Sequence, residues 1–122
     1  LTHGFPWRAF LGDDGNFDLP DEIWEPFKGE MCNIEVCFPV RIGDMFDYPY
    51  REVWPALEAM LQHIGADHLL WGTDMPFQKR FCTYSQSRKW IEGAFADETS
   101  LSQNEIDLIM GGTCTRLLNI DR

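Results

Sequence analysis

The sequence predicts an α/β fold in which parallel strands alternate with helices. Short apolar or β-branched runs at residues 33–38 and 68–72 are each followed by a loop and then by a helical pattern. Residues 1–3 resemble the end of an earlier strand. Short buried strands that alternate with helices of about 10 to 15 residues are typical of parallel βαβ units.

The helices are predicted from apolar residues at three- and four-residue steps and from residues that favour helix ends. Gly65 favours a helix end, and Thr83 and Thr113 are expected N-caps. Ser102 and Glu105 have the spacing of a capping box. The expected helical segments are 21–27, 49–64, 83–95, 102–110 and 113–118.

The predicted strands are expected to belong to a larger sheet. Parallel strands usually need helices on both faces and neighbouring strands on both edges. The sequence also begins with Leu1 rather than Met. We therefore expect that strands preceding residue 1 are missing from it.

Composition argues against several classes of partner. A net charge of -10 does not attract phosphate backbones or anionic lipids, so neither nucleic acid nor membrane is an expected partner. No run approaches the roughly 18 apolar residues of a membrane-spanning helix. The 4 cysteines lack the paired spacing of a structural zinc site, and we expect reduced thiols in a cytoplasmic protein. Homo-oligomerisation is left open.

Two polar residues, His3 and Asp74, follow predicted strands directly. In parallel α/β folds, functional sites are built at the carboxyl ends of strands. A partly buried carboxylate at this edge is either a metal ligand or an ordinary turn or helix-capping residue, and spacing alone favours the second. A single histidine such as His3 is more often a core residue than a ligand.

Other polar residues have simpler interpretations. His63 and His68 lie at a helix end and a strand start, at the edge opposite the expected site, and are assigned structural roles. Glu35 is a charge within an apolar strand. The Glu35 side chain could form a structural ion pair. It could equally support the site or bind substrate.

Four segments together resemble the amidohydrolase-related family of enzymes. Residues 70–77, Leu-Trp-Gly-Thr-Asp-Met-Pro-Phe, are similar to its eighth-strand motif. The His-Gly at residues 3–4 resembles the sixth strand, residues 33–36 fall at the seventh, and residues 109–118 resemble the closing segment. The resemblance is to members such as aminocarboxymuconate semialdehyde decarboxylase and several lactone hydrolases.

The resemblance implies a (β/α)8 TIM barrel. Residues 1–122 would be the C-terminal portion of that single barrel domain, with strands six to eight and their helices, and the N-terminal strands would be missing. A typical barrel has about 250 residues, so the chain would cover about half of one.

The resemblance also implies a metal-dependent reaction. Asp74 would bind a catalytic divalent metal, zinc or manganese, and take a proton from the attacking water. His3 would orient that water or polarise the substrate. The His-x-His pair of the first strand and the histidine of the fifth strand are absent from this sequence. The chain alone is therefore expected to be inactive.

The residues that follow the two site residues are expected to line a pocket for a small carboxylated or aromatic substrate. Arg8 either holds an anion in this pocket or pairs with Asp13 or Asp14 at the surface. The expected substrate-binding residues are Trp7, Arg8 and Phe77.

A metal-dependent hydrolase acting on a small carboxylic acid, ester, lactone or amide is favoured over a decarboxylase. Some decarboxylases of the family resemble His-x-Gly-Glu after the sixth strand, and residues 4–7 supply no carboxylate there. A decarboxylase of the same family is the first alternative. A non-catalytic α/β module, in which Asp74 only forms a turn, is the second.

Overall fold

Two parallel strands lie at the centre of the structure, a computed structural model that describes residues 7–29, 32–36 and 47–120. The strands are β1 (Ile34–Val36) and β2 (Leu69–Trp71). Their register pairs Glu35 with Leu70. The backbone N–H of Gly72 donates to the carbonyl of Val36 at 3.2 Å, which extends the pairing one residue beyond β2.

A helix connects the two strands, as the sequence predicts. The 3-10 helix Arg51–Val53 leads into α1 (Trp54–Ile64). The helix ends at Gly65, whose φ of 80° is costly for any other residue. The short 3-10 helix Ala66–His68 then leads directly into β2. This order confirms a βαβ unit.

The segment after β2 is helical. The 3-10 helix Phe77–Arg80 comes first, and Thr83 then caps the next helix through a capping box with Gln86. Ser102 and Glu105 form the second capping box, as predicted. The helical stretches are α2 (Tyr84–Lys89), a π-helical turn Trp90–Phe95, α3 (Ala96–Thr99), α4 (Gln103–Asp107) and α5 (Thr113–Leu117). The segment Leu108–Gly112 joins α4 to α5 and contains a kink at Gly111, whose backbone is not helical.

The segment before β1 contains two 3-10 helices, Trp7–Phe10 and Asp21–Phe27. Between them, Leu11 and Phe17 form an antiparallel bridge around a tight turn. The helix predicted over residues 21–27 is thus present with 3-10 geometry. The strand predicted at residues 1–3 lies outside the described residues.

The core forms on one side of the strands. In β1, Ile34 and Val36 are buried, and Glu35 between them points to the opposite face. The two buried strand residues belong to a cluster that joins α1 to the helices after β2, with Trp24, Leu57, Met60, Trp90 and Phe95 among its members. No helix within the described ranges is both long enough and apolar enough to cross a bilayer.

Two expectations about helix ends are wrong. Thr113 is not an N-cap, because Gly112 holds that position and Thr113 is the first residue of α5. Its hydroxyl instead donates to the carbonyl of Ala66 at 3.3 Å in the buried interior. The helical segment expected to end near Phe95 continues to Thr99, because the left-handed break comes only at Ser100.

Candidate active site

Asp74 lies where β2 gives way to the following turn. It is half-buried, and its φ of 52° lies in the left-handed region, which is sterically costly for a residue with a side chain. Its carbonyl oxygen accepts hydrogen bonds from the backbone N–H groups of Phe77 at 2.8 Å and Gln78 at 3.3 Å. The chain therefore turns sharply at Asp74 and enters the 3-10 helix Phe77–Arg80.

The helix-capping interpretation of Asp74 does not fit this geometry. Pro76 is the N-cap of the 3-10 helix, and no side chain caps it. The backbone of Asp74 makes the turn through its carbonyl group. Its carboxylate is consequently not required for helix initiation.

Glu35 lies on the face of the sheet shared with Leu70 and Gly72. A Cβ atom added to Gly72 would lie 2.0 Å from Oε1 of Glu35. The Glu35 side chain thus occupies the space in front of Gly72, two residues before Asp74. Because glycine has no Cβ atom, Gly72 leaves room for the Glu35 carboxylate in its present position.

A cavity of about 660 Å³ lies beside the same face of the strands. Asn33, Glu35 and Leu70 line it from the strand side, and residues of the C-terminal helices such as Met110 close it from the other side. Asp74 does not line this cavity. The carboxylate expected to do chemistry therefore lies at the end of the strand, outside the cavity.

Buried side chains hold the turn after Asp74 from the interior. Gln78 is 0% exposed, and its Oε1 accepts a weak hydrogen bond from the Cys82 thiol at 4.0 Å. Cys82 also lies close enough to the hydroxyl of Tyr50 to raise the pKa of that hydroxyl. Because Tyr50 precedes α1, these three side chains connect the start of α1 to the turn that carries Asp74.

Burial raises the pKa of the Tyr50 hydroxyl well above its ordinary value, and the nearby Cys82 thiol raises the pKa further. The side chain is only 1% exposed, so water cannot stabilise its phenolate form. Tyr50 is therefore neutral over the whole physiological range.

The exposed side of the turn is aromatic and basic. Phe77 is half-buried, and its ring packs against that of Phe81 with the ring centroids 5.3 Å apart. The guanidinium carbon of Arg80 lies over the Phe77 ring, 5.3 Å from its centroid. Lys79 and Arg80 are both exposed.

The structure brings together only some of the predicted site residues. Asp74 and Phe77 share one turn. Arg8 is exposed in the 3-10 helix Trp7–Phe10. His3 and the side chain of Trp7 lie outside the described part of the chain, so their predicted roles stay predictions.

Sequence reasoning missed Tyr50, Gln78, Cys82 and Arg80. The basic pair at residues 79–80, close to Asp74 in an acidic chain, was an available signal for Arg80. The other residues carried no such signal, because their contacts with one another depend on the folded structure.

The two remaining histidines have structural contacts. His63 stacks on the ring of Trp24, with ring centroids 4.7 Å apart and planes 7° apart. Nδ1 of His68 donates to the carbonyl of Cys32 at 2.8 Å. Both contacts agree with the structural roles expected for these residues.

The described residues fit a metal only as part of a larger ligand set. Within residues 7–29, 32–36 and 47–120, no group of three or more histidine, cysteine, aspartate or glutamate residues is arranged to hold an ion. Asp74 offers one half-buried carboxylate at a strand end, which suits one position in a catalytic site. Further ligands would have to come from outside these ranges.

Comparison with known proteins identifies the family. A sequence model described as Amidohydrolase matches residues 3–120. The chain therefore belongs to the amidohydrolase family, whose members have TIM-barrel folds and typically use divalent metal ions. No curated protein and no solved structure matches the chain.

The contact between Glu35 and Gly72 predicts a non-additive pair of substitutions. Gly72→Ala should destabilise the protein, because the new methyl group collides with the Glu35 carboxylate. In a Glu35→Ala background the same substitution should cost about 1 kcal/mol less, as expected for residues in contact. Urea unfolding of the four proteins in this cycle measures the coupling, and additive effects would contradict the proposed contact.

Buried Tyr50 predicts a loss of stability at alkaline pH. Burial raises its folded-state pKa above the ordinary tyrosine value of about 10. Its contribution to the free energy of unfolding is therefore fully present below about pH 10 and is lost as pH rises toward the folded-state pKa, because the unfolded state ionises first. Between about pH 9 and pH 11, the free energy of unfolding should fall more steeply in the wild type than in Tyr50→Phe, by up to about 1.4 kcal/mol per pH unit.

Urea unfolding of the full-length protein at several pH values measures this slope. Tyr84→Phe is the matched control, because Tyr84 is 52% exposed, and this substitution should leave the slope unchanged. Equal slopes for the wild type and Tyr50→Phe would mean that Tyr50 ionises as readily in the folded protein as in the unfolded chain.

Proposed function

We propose that this chain forms strands six to eight, with their helices, of the TIM barrel of a metal-dependent hydrolase. Family membership and the βαβ unit support this assignment. In the proposed barrel, β1 is the seventh strand and β2 is the eighth. Residues 1–122 belong to one barrel domain, and the strands before them complete it.

Asp74 is the proposed metal ligand and proton acceptor. The observation that carries this role is a half-buried carboxylate at the carboxyl end of a parallel strand, on a residue with left-handed backbone geometry. Strained residues of this kind are concentrated at functional sites. A divalent cation, proposed here to be zinc or manganese, would when bound make water acidic enough to react near neutral pH. Asp74 would help to hold this ion and would accept a proton from the attacking water.

The proposed substrate site extends outward from Asp74. Phe77 supplies an apolar surface on the same turn, and His3 is the proposed group that orients the water or polarises the substrate. Trp7 and Arg8 are the proposed contacts from the segment that follows His3, with Arg8 binding an anionic group. The Glu35 side chain fills the space next to Gly72 and is proposed to support the end of β2 there.

The proposed enzyme is a hydrolase acting on a small carboxylic acid, ester, lactone or amide, and the bond that water cleaves is an ester, lactone or amide bond of that substrate. Residues 4–7 contain no carboxylate, unlike the His-x-Gly-Glu segment of some decarboxylases in the family. The proposed enzyme acts on a small molecule in the cytoplasm. Its net charge of -10 is the reason that neither nucleic acid nor membrane is a proposed partner.

Asp74→Asn tests this proposal in the full-length protein. The amide has nearly the same shape but is a much weaker metal ligand and cannot accept the proton. Substituting a residue that only hydrogen-bonds to a metal ligand lowers metal affinity by up to about 100-fold. Because Asp74 is proposed to be a ligand itself, we expect its substitution to lower metal affinity by at least about 100-fold. Metal content by mass spectrometry and hydrolysis of a panel of esters, lactones and amides are the two readouts.

Asp67→Asn is the matched control, because Asp67 is an exposed aspartate just before the start of β2. It should leave both metal content and activity unchanged, and circular dichroism should show an intact fold in both variants. Undiminished metal binding in Asp74→Asn would refute the ligand role. If the protein releases carbon dioxide from aromatic carboxylic acids and hydrolyses no member of the panel, it is a decarboxylase and the hydrolase proposal is wrong.

A further inference from the structure

The turn after Asp74 has an inner side and an outer side. Gln78 and Cys82 are buried and fix the turn against the interior. The carbonyl of Asp74 fixes the start of the turn through the backbone of Phe77 and Gln78. Residues on the outer side therefore have a defined position relative to Asp74.

Arg80 lies on this outer side, over the ring of Phe77. A guanidinium above an aromatic ring is attracted by the negative face of that ring. Its N–H groups lie in its own plane and are not consumed by this contact. The side chain is thus held in place while its donors stay available to an anion.

Three other cations of the chain form ion pairs with nearby glutamates. Lys28 pairs with Glu25, Arg51 with Glu98 and Arg88 with Glu92. Within the described ranges Arg80 forms no ion pair, although the chain has 20 acidic residues and only 10 basic ones.

Lys79 precedes Arg80, is also exposed, and adds positive charge at the same turn. In such an acidic protein, a pair of adjacent cations beside the candidate active site favours the approach of anions to that place.

We propose that Arg80, positioned by Phe77, binds the carboxylate of an aromatic carboxylate substrate beside Asp74. The proposal rests on the proposed function, since it takes the region next to Asp74 as the substrate site. The planar guanidinium matches a carboxylate through two parallel hydrogen bonds. The partly exposed rings of Phe77 and Phe81 provide the apolar surface for the rest of the ligand.

Binding of benzoate and of its neutral analogue benzamide to the full-length protein, with and without added zinc, tests this role. Isothermal titration calorimetry should show that Arg80→Gln weakens benzoate binding by about 10- to 100-fold, the range for a hydrogen bond to a charged group. Benzamide binding should be unchanged. Arg80→Lys should restore only part of the benzoate affinity, because lysine keeps the charge but lacks the planar pair of donors.

Lys89→Gln is the charge-matched control, because Lys89 is another exposed cation without an ion pair in the described ranges. It should leave the ratio of benzoate to benzamide affinity unchanged. Three results would overturn the proposal: no benzoate binding by the wild type, unchanged benzoate affinity in Arg80→Gln, or equal weakening of both ligands.

Metal content separates this proposal from the proposed function. If the full-length protein holds no metal but benzoate binding still depends on Arg80, the metal-dependent hydrolase is wrong and the Arg80 site stands. If metal binding depends on Asp74 while benzoate binding does not depend on Arg80, the Arg80 proposal is wrong and the hydrolase stands.

Discussion

The sharp turn of the backbone at Asp74, three residues after β2 ends at Trp71, is the constraint on which the rest of the site depends. The left-handed backbone of Asp74 redirects the chain there, because this conformation does not continue an extended strand. Its carbonyl then accepts two backbone hydrogen bonds from the next turn. The backbone of Asp74 thus makes the turn, and its carboxylate is the group proposed to bind the metal.

The surrounding packing explains how this costly conformation persists. Glu35 and Gly72 fit together on one face of the strands, and buried Gln78, Cys82 and Tyr50 hold the turn from the interior. Backbone conformations of this kind, which cost about 1 to 3 kcal/mol each, survive where neighbouring contacts over-determine them. The site is therefore supported by residues that need not touch a substrate.

Much of the fold could be predicted from the sequence because local signals were strong. Gly65 ends α1, and both capping boxes form where Thr83 and Ser102 predict them. The signal failed at Thr113, where a buried hydrogen bond to Ala66 replaced the expected cap. The position of Asp74 at a strand end was predictable, but its left-handed geometry and its buried supports were not, since they arise from contacts distant in sequence.

The central claim is that the Asp74 carboxylate binds a divalent metal at the carboxyl end of β2. Anomalous diffraction from crystals of the full-length protein, loaded with zinc, tests it most directly. A zinc ion is expected about 2.0 to 2.2 Å from a carboxylate oxygen of Asp74. A fully occupied zinc site elsewhere in the barrel, with this carboxylate turned toward the outer helices, would contradict it.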